Sequence, residues 1–434
     1  MASLNKKQTI YTYEGAVAKH IPPKQQLERS VMSCMLWEGE FYEDGVTIAK
    51  RIAGLIAQIP AKDVAEIATK AKTEMHLRHT PLFMARELAR TIDGRKQLAE
   101  AFAALITRPD DITEFLSIYW KDNSEEPLAK QIKKHLGASF ARFDEYQLQK
   151  YNGGKKAVKL RDAIRILRPK PANQEQSELW RKLVKDELAT PDTWEVEISA
   201  SKDKKLSWER LLKESKLGGL AMLRNIRNMK QAGVDSDLIK HGIATLKSAK
   251  LLPMNFISAA THNPEYESDI EVKFLECFAG KPKMSGKTAI LVDVSGSMRG
   301  ALSGRSELQR KDVACALAMI ARETFEDCNI YSFSDKLAII PARHGFALKD
   351  AIINSQPHSG TQLGEAVRHV VSALTPDRII VITDEQSSDP VPDVKGGYMI
   401  NVASNKNGVG YGAWFHIDGW SDKVINYVYE HEKQ

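Results

Sequence analysis

The sequence predicts two domains of different class: an all-α helical-repeat domain over residues 1–282 and an α/β, doubly wound domain over residues 283–434. Three observations predict them. The length of 434 residues exceeds what one hydrophobic core usually serves. Residues 25–280 contain one amphipathic helical segment after another, and from Lys287 short β-rich runs alternate with helical segments. The composition, 43% apolar and 27% charged, is typical of a globular protein.

The first domain is predicted from apolar residues that recur at three- and four-residue spacing. The pattern is found in QLERSVMSCML, DGVTIAKRIAGLIAQI, DVAEIATKAKTEM, PLFMARELART, RKQLAEAFAALITR and DITEFLSIYWKD. Short, similar helices joined by short loops favour an α-solenoid, in which each pair buries its apolar face on the next pair. The sequence shows no clean repeat period, so a globular helical bundle is the alternative.

The second domain is predicted from β-rich runs with helical segments between them. The runs are TAILVDV, NIYSFS, LAIIPA, RIIVIT and GYMINVAS, and the helical segments are RKDVACALAMIARETF, ALKDAIINS, LGEAVRHVVSAL and, after the last run, SDKVINYVYEH. Such alternation indicates a mostly parallel sheet covered on both faces. The segment FAGKPKMSGK, rich in Gly, Lys and Pro, is the predicted boundary.

The four cysteines form no CxxC pair and no metal-finger spacing. No basic-then-apolar leader opens the chain, and no stretch approaches eighteen uninterrupted apolar residues. We therefore expect a cytoplasmic protein with reduced thiols and no membrane partner.

Oxygen-bearing side chains follow two of the predicted strands. In AILVDVSGSM an acid and two serines come directly after a buried strand, an acid also follows RIIVIT, and a threonine lies in the helix-opening loop HSGTQLGEA. Ligands of open parallel sheets bind at the carboxyl ends of the strands. The predicted ligand set is Asp293, Ser295, Ser297, Thr361 and Asp384.

This donor set favours a hard cation. It lacks a thiolate and an imidazole, which argues against zinc, and Mg²⁺ suits an all-oxygen site best, although another hard divalent cation is possible. A phosphate-binding loop is disfavoured because GxxxxGK[ST] is absent and two carboxylates would repel an anion. A simple turn would explain Asp293 and Gly296, but neither Thr361 nor Asp384. Glu385 and Asp389 are predicted to be solvated.

Positive charge is concentrated in one segment of the first domain. The chain has a net charge of +6, and the segment Lys133–Lys170 alone carries 11 basic residues against three acids. Its core, KKAVKLRDAIRILRPK, places three arginines on one stripe of a helix that ends at Pro169. We predict a phosphate-binding surface formed by Lys155, Lys156, Lys159, Arg161, Arg165, Arg168 and Lys170. An exposed charged helix without a partner is the alternative.

The five metal-site residues resemble the metal-ion-dependent adhesion site of von Willebrand factor A domains, which has the pattern DxSxS…T…D. The resemblance implies a bound metal with an open coordination position that an acidic group of a partner can fill. That is a binding role. An enzyme is not predicted, because the sequence shows neither a nucleophile–base pair nor a second cluster of carboxylates.

A helical domain followed by such an A domain resembles the Ro autoantigen family, whose helical part is the TROVE domain. LGGLAMLRNIRNM, residues 217–229, is similar to the family's A-L-L-R-N-L-x-x-M pattern, and LRDAIRILRPKP, residues 160–171, to its K-D-L-L-R-L-x-x-x-K-P helix end. In the first motif Arg224 and Asn225 could face RNA, but a structural role is favoured. The chain is accordingly identified as similar to a bacterial or phage-type member.

That resemblance implies a monomeric ring of HEAT-like repeats closed by the A domain. It implies RNA binding in two modes, with small structured Y-like RNA on the outer basic surface and single-stranded 3′ ends of misfolded RNA in the central hole. Such a protein acts in RNA quality control or as an RNA-tethered adaptor, and bacterial relatives work with the exoribonuclease polynucleotide phosphorylase. By position, Arg161 and Arg165 are the expected Y-RNA contacts, and Arg168 extends their stripe. The alternative is a Mg²⁺-dependent adhesion scaffold that binds an acidic protein partner.

Overall fold

The computed structural model describes residues 9–12, 14–18, 22–31, 45–75, 77–121, 127–154, 156–190, 193–248, 251–302, 308–403, 413–419 and 423–432. The chain forms two compact units. We call residues 23–37 and 45–193 the first helical unit, and residues 1–22, 38–44 and 194–434 the sheet-bearing unit. The helices after residue 193 thus group with the sheet by compactness, whereas the predicted boundary at 282 and 283 divides the chain by class of secondary structure and stays a prediction.

The first helical unit is all-α over the residues described, as the apolar spacing predicts. Its helices α1 to α10 are Pro23–Val31, Gly45–Ile56, Ala61–Thr73, His79–Ala89, Ile92–Leu105, Pro109–Trp120, Lys130–Ala138, Glu145–Lys150, Leu160–Leu167 and Gln174–Lys185. Helix α3 packs against both α4 and α5. Buried apolar side chains such as Leu82, Leu98 and Phe115 form the core of the first helical unit.

The sheet-bearing unit begins with a two-stranded antiparallel hairpin, β1 (Ile10–Tyr11) and β2 (Val17–Ala18). Six further helices precede the large sheet. Helices α11 to α16 are Trp194–Ala200, Lys204–Lys213, Gly219–Gln231, Ser236–Thr245, Pro253–His262 and Glu267–Glu276. Helix α13 packs on α14 and α15, and α15 on α16. None of the described helices combines the length and apolar character that a membrane crossing requires.

The large sheet has six strands in the order β5-β4-β3-β6-β7-β8. Strands β3 to β8 are Met284–Asp293, Phe325–Phe333, Leu337–Ile339, Arg378–Thr383, Gly397–Asn401 and Phe415–Asp418. All pairs are parallel except β4 with the edge strand β5. The predicted α/β, doubly wound class is confirmed. Strand β8 was missed, because its four residues lie next to Gly and Trp and carry no clear alternation.

Helices cover the sheet. Helices α17 to α20 are Arg310–Thr324, Gly345–Ile353, Leu363–Leu374 and Lys423–Glu432. Ala289 and Leu291 of β3 pack with α19 in one core cluster, whereas Ile290 and Val292, also fully buried, point to the other face. Because β3 and β6 are neighbours from which the sheet extends in opposite directions, their carboxyl ends form the crevice in which such folds bind ligands.

Candidate metal centre and basic surface

Asp293 ends β3 at the bottom of this crevice and is fully buried. One carboxylate oxygen, Oδ1, accepts a hydrogen bond from the Ser295 amide at 2.8 Å, and Oδ2 accepts one from Thr383 Oγ1 at 2.6 Å. Burial, and then the nearby charge of Asp384, raise the pKa of Asp293. A positive charge at this place would favour the ionised carboxylate.

The two predicted serine ligands lie side by side in the turn after β3. The Oγ atoms of Ser295 and Ser297 are 3.2 Å apart. Gly296, between them, donates its amide to Ser359 O at 3.0 Å, and a Cβ added there would lie 3.4 Å from the same oxygen. The turn after β3 is therefore in contact with the loop that carries Thr361.

Thr361 is buried, and its loop is also bonded to the segment that follows β6. Its carbonyl accepts the Ser388 amide at 3.0 Å and Ser388 Oγ at 2.8 Å, which ties the loop to the segment after β6. The neighbouring Gly360 amide donates to Asp335 Oδ1 at 2.9 Å. Main-chain bonds thus join all three segments that carry predicted ligands.

Asp384 directly follows β6 and is fully buried. Its Oδ2 lies 3.7 Å from Nη1 of Arg310, the first residue of α17, whose side chain is also buried. This ion pair places one guanidinium beside the carboxylate of Asp384. This arginine was not recognised from sequence, because nothing near RKDVACALAMIARETF indicates that its first residue reaches another strand end.

Two acids that follow Asp384 in the sequence, Glu385 and Asp389, have partners inside the protein. Glu385 is fully buried, with φ +58°, and its Oε1 lies 3.0 Å from Nδ1 of the equally buried His416. Asp389 is partly buried, where Oδ1 accepts the Gly364 amide at 2.7 Å and Oδ2 the Arg368 side chain at 2.9 Å. The prediction that both are solvated was wrong, since their partners come from β8 and α19.

The residues present fit a hard cation. The candidate set offers two carboxylates and three hydroxyls, all oxygen donors of the kind that Mg²⁺ prefers. Within the described residues no cluster of three or more His, Cys, Asp or Glu side chains could hold a metal. The candidate site contains only two such side chains, Asp293 and Asp384, and its other three donors are hydroxyl groups, so it does not count as a cluster of this kind.

The predicted basic helix is α9, in the first helical unit. Leu160, Ala163 and Leu167 are buried, as expected for its inner side. Arg165 is exposed and Arg161 partly so, and neither has an ion-pair or hydrogen-bond partner among the residues the structure describes. Guanidinium groups in this state are available to an anion.

Arg168 departs from the prediction. Helix α9 ends at Leu167, and Arg168 adopts a left-handed conformation with φ +49°. Pro169 disfavours helical backbone at the residue before it, so the chain turns there. Arg168 is exposed, and the helix ends one residue before the predicted end at Pro169 would place it.

The remaining basic residues of the predicted surface differ in how free they are. Lys159 and Lys170 are exposed. Lys156 is partly buried, donates to Tyr151 O at 2.6 Å, and has its pKa lowered by burial. Lys155 lies outside the described residues. We therefore define the α9 surface as Lys159, Arg161, Arg165, Arg168 and Lys170.

Comparison with known proteins bears on the identity of the chain. The TROVE domain family matches residues 184–275. The crystal structure of the Ro protein of Deinococcus radiodurans superposes with a TM-score of 0.64 at 16% sequence identity, over 94% of this chain and 100% of that chain. The resemblance to the Ro family is confirmed.

The TROVE match includes α13, with the motif LGGLAMLRNIRNM, but neither α9 nor the metal-site residues. Within this Ro-like helix Asn225 is buried, its Nδ2 donates to Ala221 O at 2.8 Å, and its Oδ1 accepts a bond from Asn228 at 2.8 Å. Asn225 therefore satisfies neighbouring polar groups, whereas Arg224 is exposed. At 16% identity the likeness to the Deinococcus protein concerns the fold.

Proposed function

We propose that this chain is a non-catalytic RNA-binding protein of Ro type. The α9 surface binds a small structured, Y-like RNA, and single-stranded 3′ ends of misfolded RNA bind in the hole of a helical ring. The protein acts in RNA quality control or as an RNA-tethered adaptor. The Ro fold and the TROVE match support this assignment.

One observation carries the RNA-binding proposal: the guanidinium groups of Arg161 and Arg165 have no partner among the described residues. Their helix is seated by three buried apolar side chains, so that the charges are held on a fixed support. By contrast, Arg181 of helix α10 is ion-paired with Glu178 at 2.6 Å. Phosphate groups bound at Arg161 and Arg165 would release counterions from the RNA.

We further propose that Asp293, Ser295, Ser297, Thr361 and Asp384 hold Mg²⁺. The ion would neutralise the buried carboxylates and offer a coordination position to an acidic group. Within the chain, Thr383 orients Asp293 and Arg310 balances part of the charge of Asp384. This is a role in binding.

The test is a titration of the full chain with a fluorescein-labelled RNA hairpin that carries a single-stranded 3′ tail, followed by fluorescence anisotropy. We expect saturable binding that weakens steeply as salt rises. The hairpin without its tail, and the tail alone, separate the two modes of binding. Absence of binding by all three RNAs at low salt would refute the proposal.

The complete set of oxygen donors favours a second candidate function, a Mg²⁺-dependent adhesion scaffold that binds an acidic protein. A chelator discriminates the two, because RNA binding by the α9 surface should persist in EDTA within a few-fold. Capture of a protein partner that is lost in EDTA and with Asp293→Ala, from a chain without RNA affinity, would favour the scaffold instead.

A further inference from the structure

A polar pocket of about 530 Å³ lies within the sheet-bearing unit, between α13 and α15. Leu308, two residues before α17, closes part of its rim. None of the residues proposed to bind Mg²⁺ or to form the α9 surface lines it. The lining residues are Leu220, Leu223, Arg224, Arg227, Asn255, Ser258, Ala259, His262, Asn263 and Leu308.

The positive charge of the pocket comes from Arg224 and Arg227. They lie three residues apart on α13, so their side chains share one face of the helix, and both are exposed. Neither guanidinium has an ion-pair or hydrogen-bond partner within the described ranges. Lys230, the next basic residue along that face, is by contrast bound to Glu265. No acid is among the lining residues that the structure describes, so the charges of Arg224 and Arg227 act together on the occupant of the pocket.

The second polar feature is Asn263, which follows α15 and is only 3% exposed. Its Nδ2 donates to Ala259 O at 2.9 Å, while its Oδ1 accepts no hydrogen bond from any described residue. A buried oxygen without a donor costs free energy, and the cost is removed when a donor reaches it. Because Asn263 lines the pocket, a small rotation of its side chain would present Oδ1 to a ligand with an N–H or O–H group.

The pocket also has an apolar wall. Leu220 is 42% exposed although it is a large apolar residue, and Leu223, Ala259 and Leu308 line the same space. The pocket is larger than a phosphate ion requires. Its occupant should therefore combine an anionic group, a hydrogen-bond donor and an apolar or flat part.

We propose that this pocket binds a nucleoside monophosphate, as a free nucleotide or as the phosphorylated end of an RNA. Arg224 and Arg227 bind the phosphate, Asn263 accepts a bond from the base or ribose, and the base lies on the wall that includes Leu220. Two guanidinium groups match a dianionic phosphomonoester better than the single charge of an internal phosphodiester. The site does not depend on the α9 surface, which belongs to the other unit.

The test is isothermal titration calorimetry of the full chain with AMP, adenosine and inorganic phosphate. AMP should bind more tightly than either fragment. Arg224→Gln/Arg227→Gln should weaken AMP binding by about tenfold or more, since two charge-assisted contacts are lost. Lys240→Gln/Lys281→Gln removes the same charge from exposed positions outside the pocket and should leave AMP affinity unchanged.

Oligoribonucleotides identify the source of the nucleotide. If an RNA end is the ligand, an oligonucleotide with a 5′-phosphate binds more tightly than its 5′-hydroxyl counterpart, and Arg224→Gln/Arg227→Gln abolishes the difference. Arg161→Gln/Arg165→Gln should change neither result, so failure of the α9 surface and failure of this pocket are distinguishable. No AMP binding together with no effect of the 5′-phosphate would overturn the proposal, as would equal losses in the pocket variant and its control.

Discussion

Removing the two arginines of α9 that have no partner in the described structure should change the salt dependence of RNA binding by a calculable amount. Each phosphate contact in duplex nucleic acid contributes about 0.9 to the slope of log affinity against log salt concentration. If Arg161 and Arg165 each bind one phosphate, Arg161→Gln/Arg165→Gln lowers the slope by about 1.8. Between about 50 mM and about 200 mM salt, the wild-type affinity should then fall roughly twelvefold more than that of the variant.

The assay is the anisotropy titration of the labelled hairpin at four or more salt concentrations. The matched control is Arg181→Gln/Lys182→Gln on α10, which removes two charges from the same unit. Arg181 is bound to Glu178 and Glu187, and Lys182 Nζ lies 3.8 Å from Glu145, so the control residues are already ion-paired. The slope of log affinity against log salt concentration should be the same for this control variant as for the wild type. An unchanged slope in the α9 variant, or an equal change in both, would show that α9 does not bind the RNA backbone.

Three further predictions concern the metal centre and stability. Magnesium at about 100 times its Kd should stabilise the wild type by about 2.7 kcal/mol, seen as a higher Tm in differential scanning fluorimetry, and Asp384→Asn should abolish that shift. The hydrogen bond from His79 lowers the pKa of Glu114 below 4.5, a stabilisation present at neutral pH and lost in acid. Glu114→Gln should therefore lower the free energy of unfolding at about pH 7 and matter less at about pH 3 in urea titrations. Gly364→Ala places a Cβ 2.1 Å from a backbone carbonyl beyond β6 and should cost about 1–3 kcal/mol, whereas Gly54→Ala, with nothing within 4 Å, should stabilise by about 1 kcal/mol.

Three outcomes would contradict those expectations. A magnesium shift that persists in Asp384→Asn would place the ion elsewhere. A Glu114→Gln effect that grows in acid would reverse the sign of the linkage. Equal effects of the two alanine variants would mean that the close approach at α19 relaxes freely.

The fold was predictable because its signals are local. Helical periodicity and buried β-rich runs are read within about ten residues, and strand ends place Asp293 and Asp384 together once the sheet is parallel. Arg168 shows where local reading fails even so. Pro169 predicts the end of the helix to within one residue. The spacing of the three arginines, however, does not indicate that Arg168 adopts a left-handed conformation.

Long-range partners were not predictable. Glu385 is polar and follows a strand, which favours a solvated loop, yet it pairs with His416, a residue 31 positions away on a strand that the sequence did not reveal. Likewise Lys156 belongs to a basic run, but its contact with the Tyr151 carbonyl draws it inward. The pocket at Arg224 and Asn263 joins two helices whose approach no sequence spacing encodes.

The electrostatics of the proposed metal centre favour different places in this chain for the proposed anion and cation sites. Asp293 and Asp384 are fully buried, and Arg310 Nη1 lies 3.7 Å from Asp384 Oδ2. A phosphate brought to this crevice would meet two carboxylates in a medium of low dielectric, where repulsion is poorly screened. A divalent cation would instead favour the ionised form of Asp293, whose pKa is raised by burial and then by the nearby charge of Asp384. RNA phosphates are therefore expected where basic side chains lack acidic partners in the described structure, at the α9 surface and at Arg224 and Arg227. The hydroxyl-lined crevice is suited to a metal and, through it, to a carboxylate.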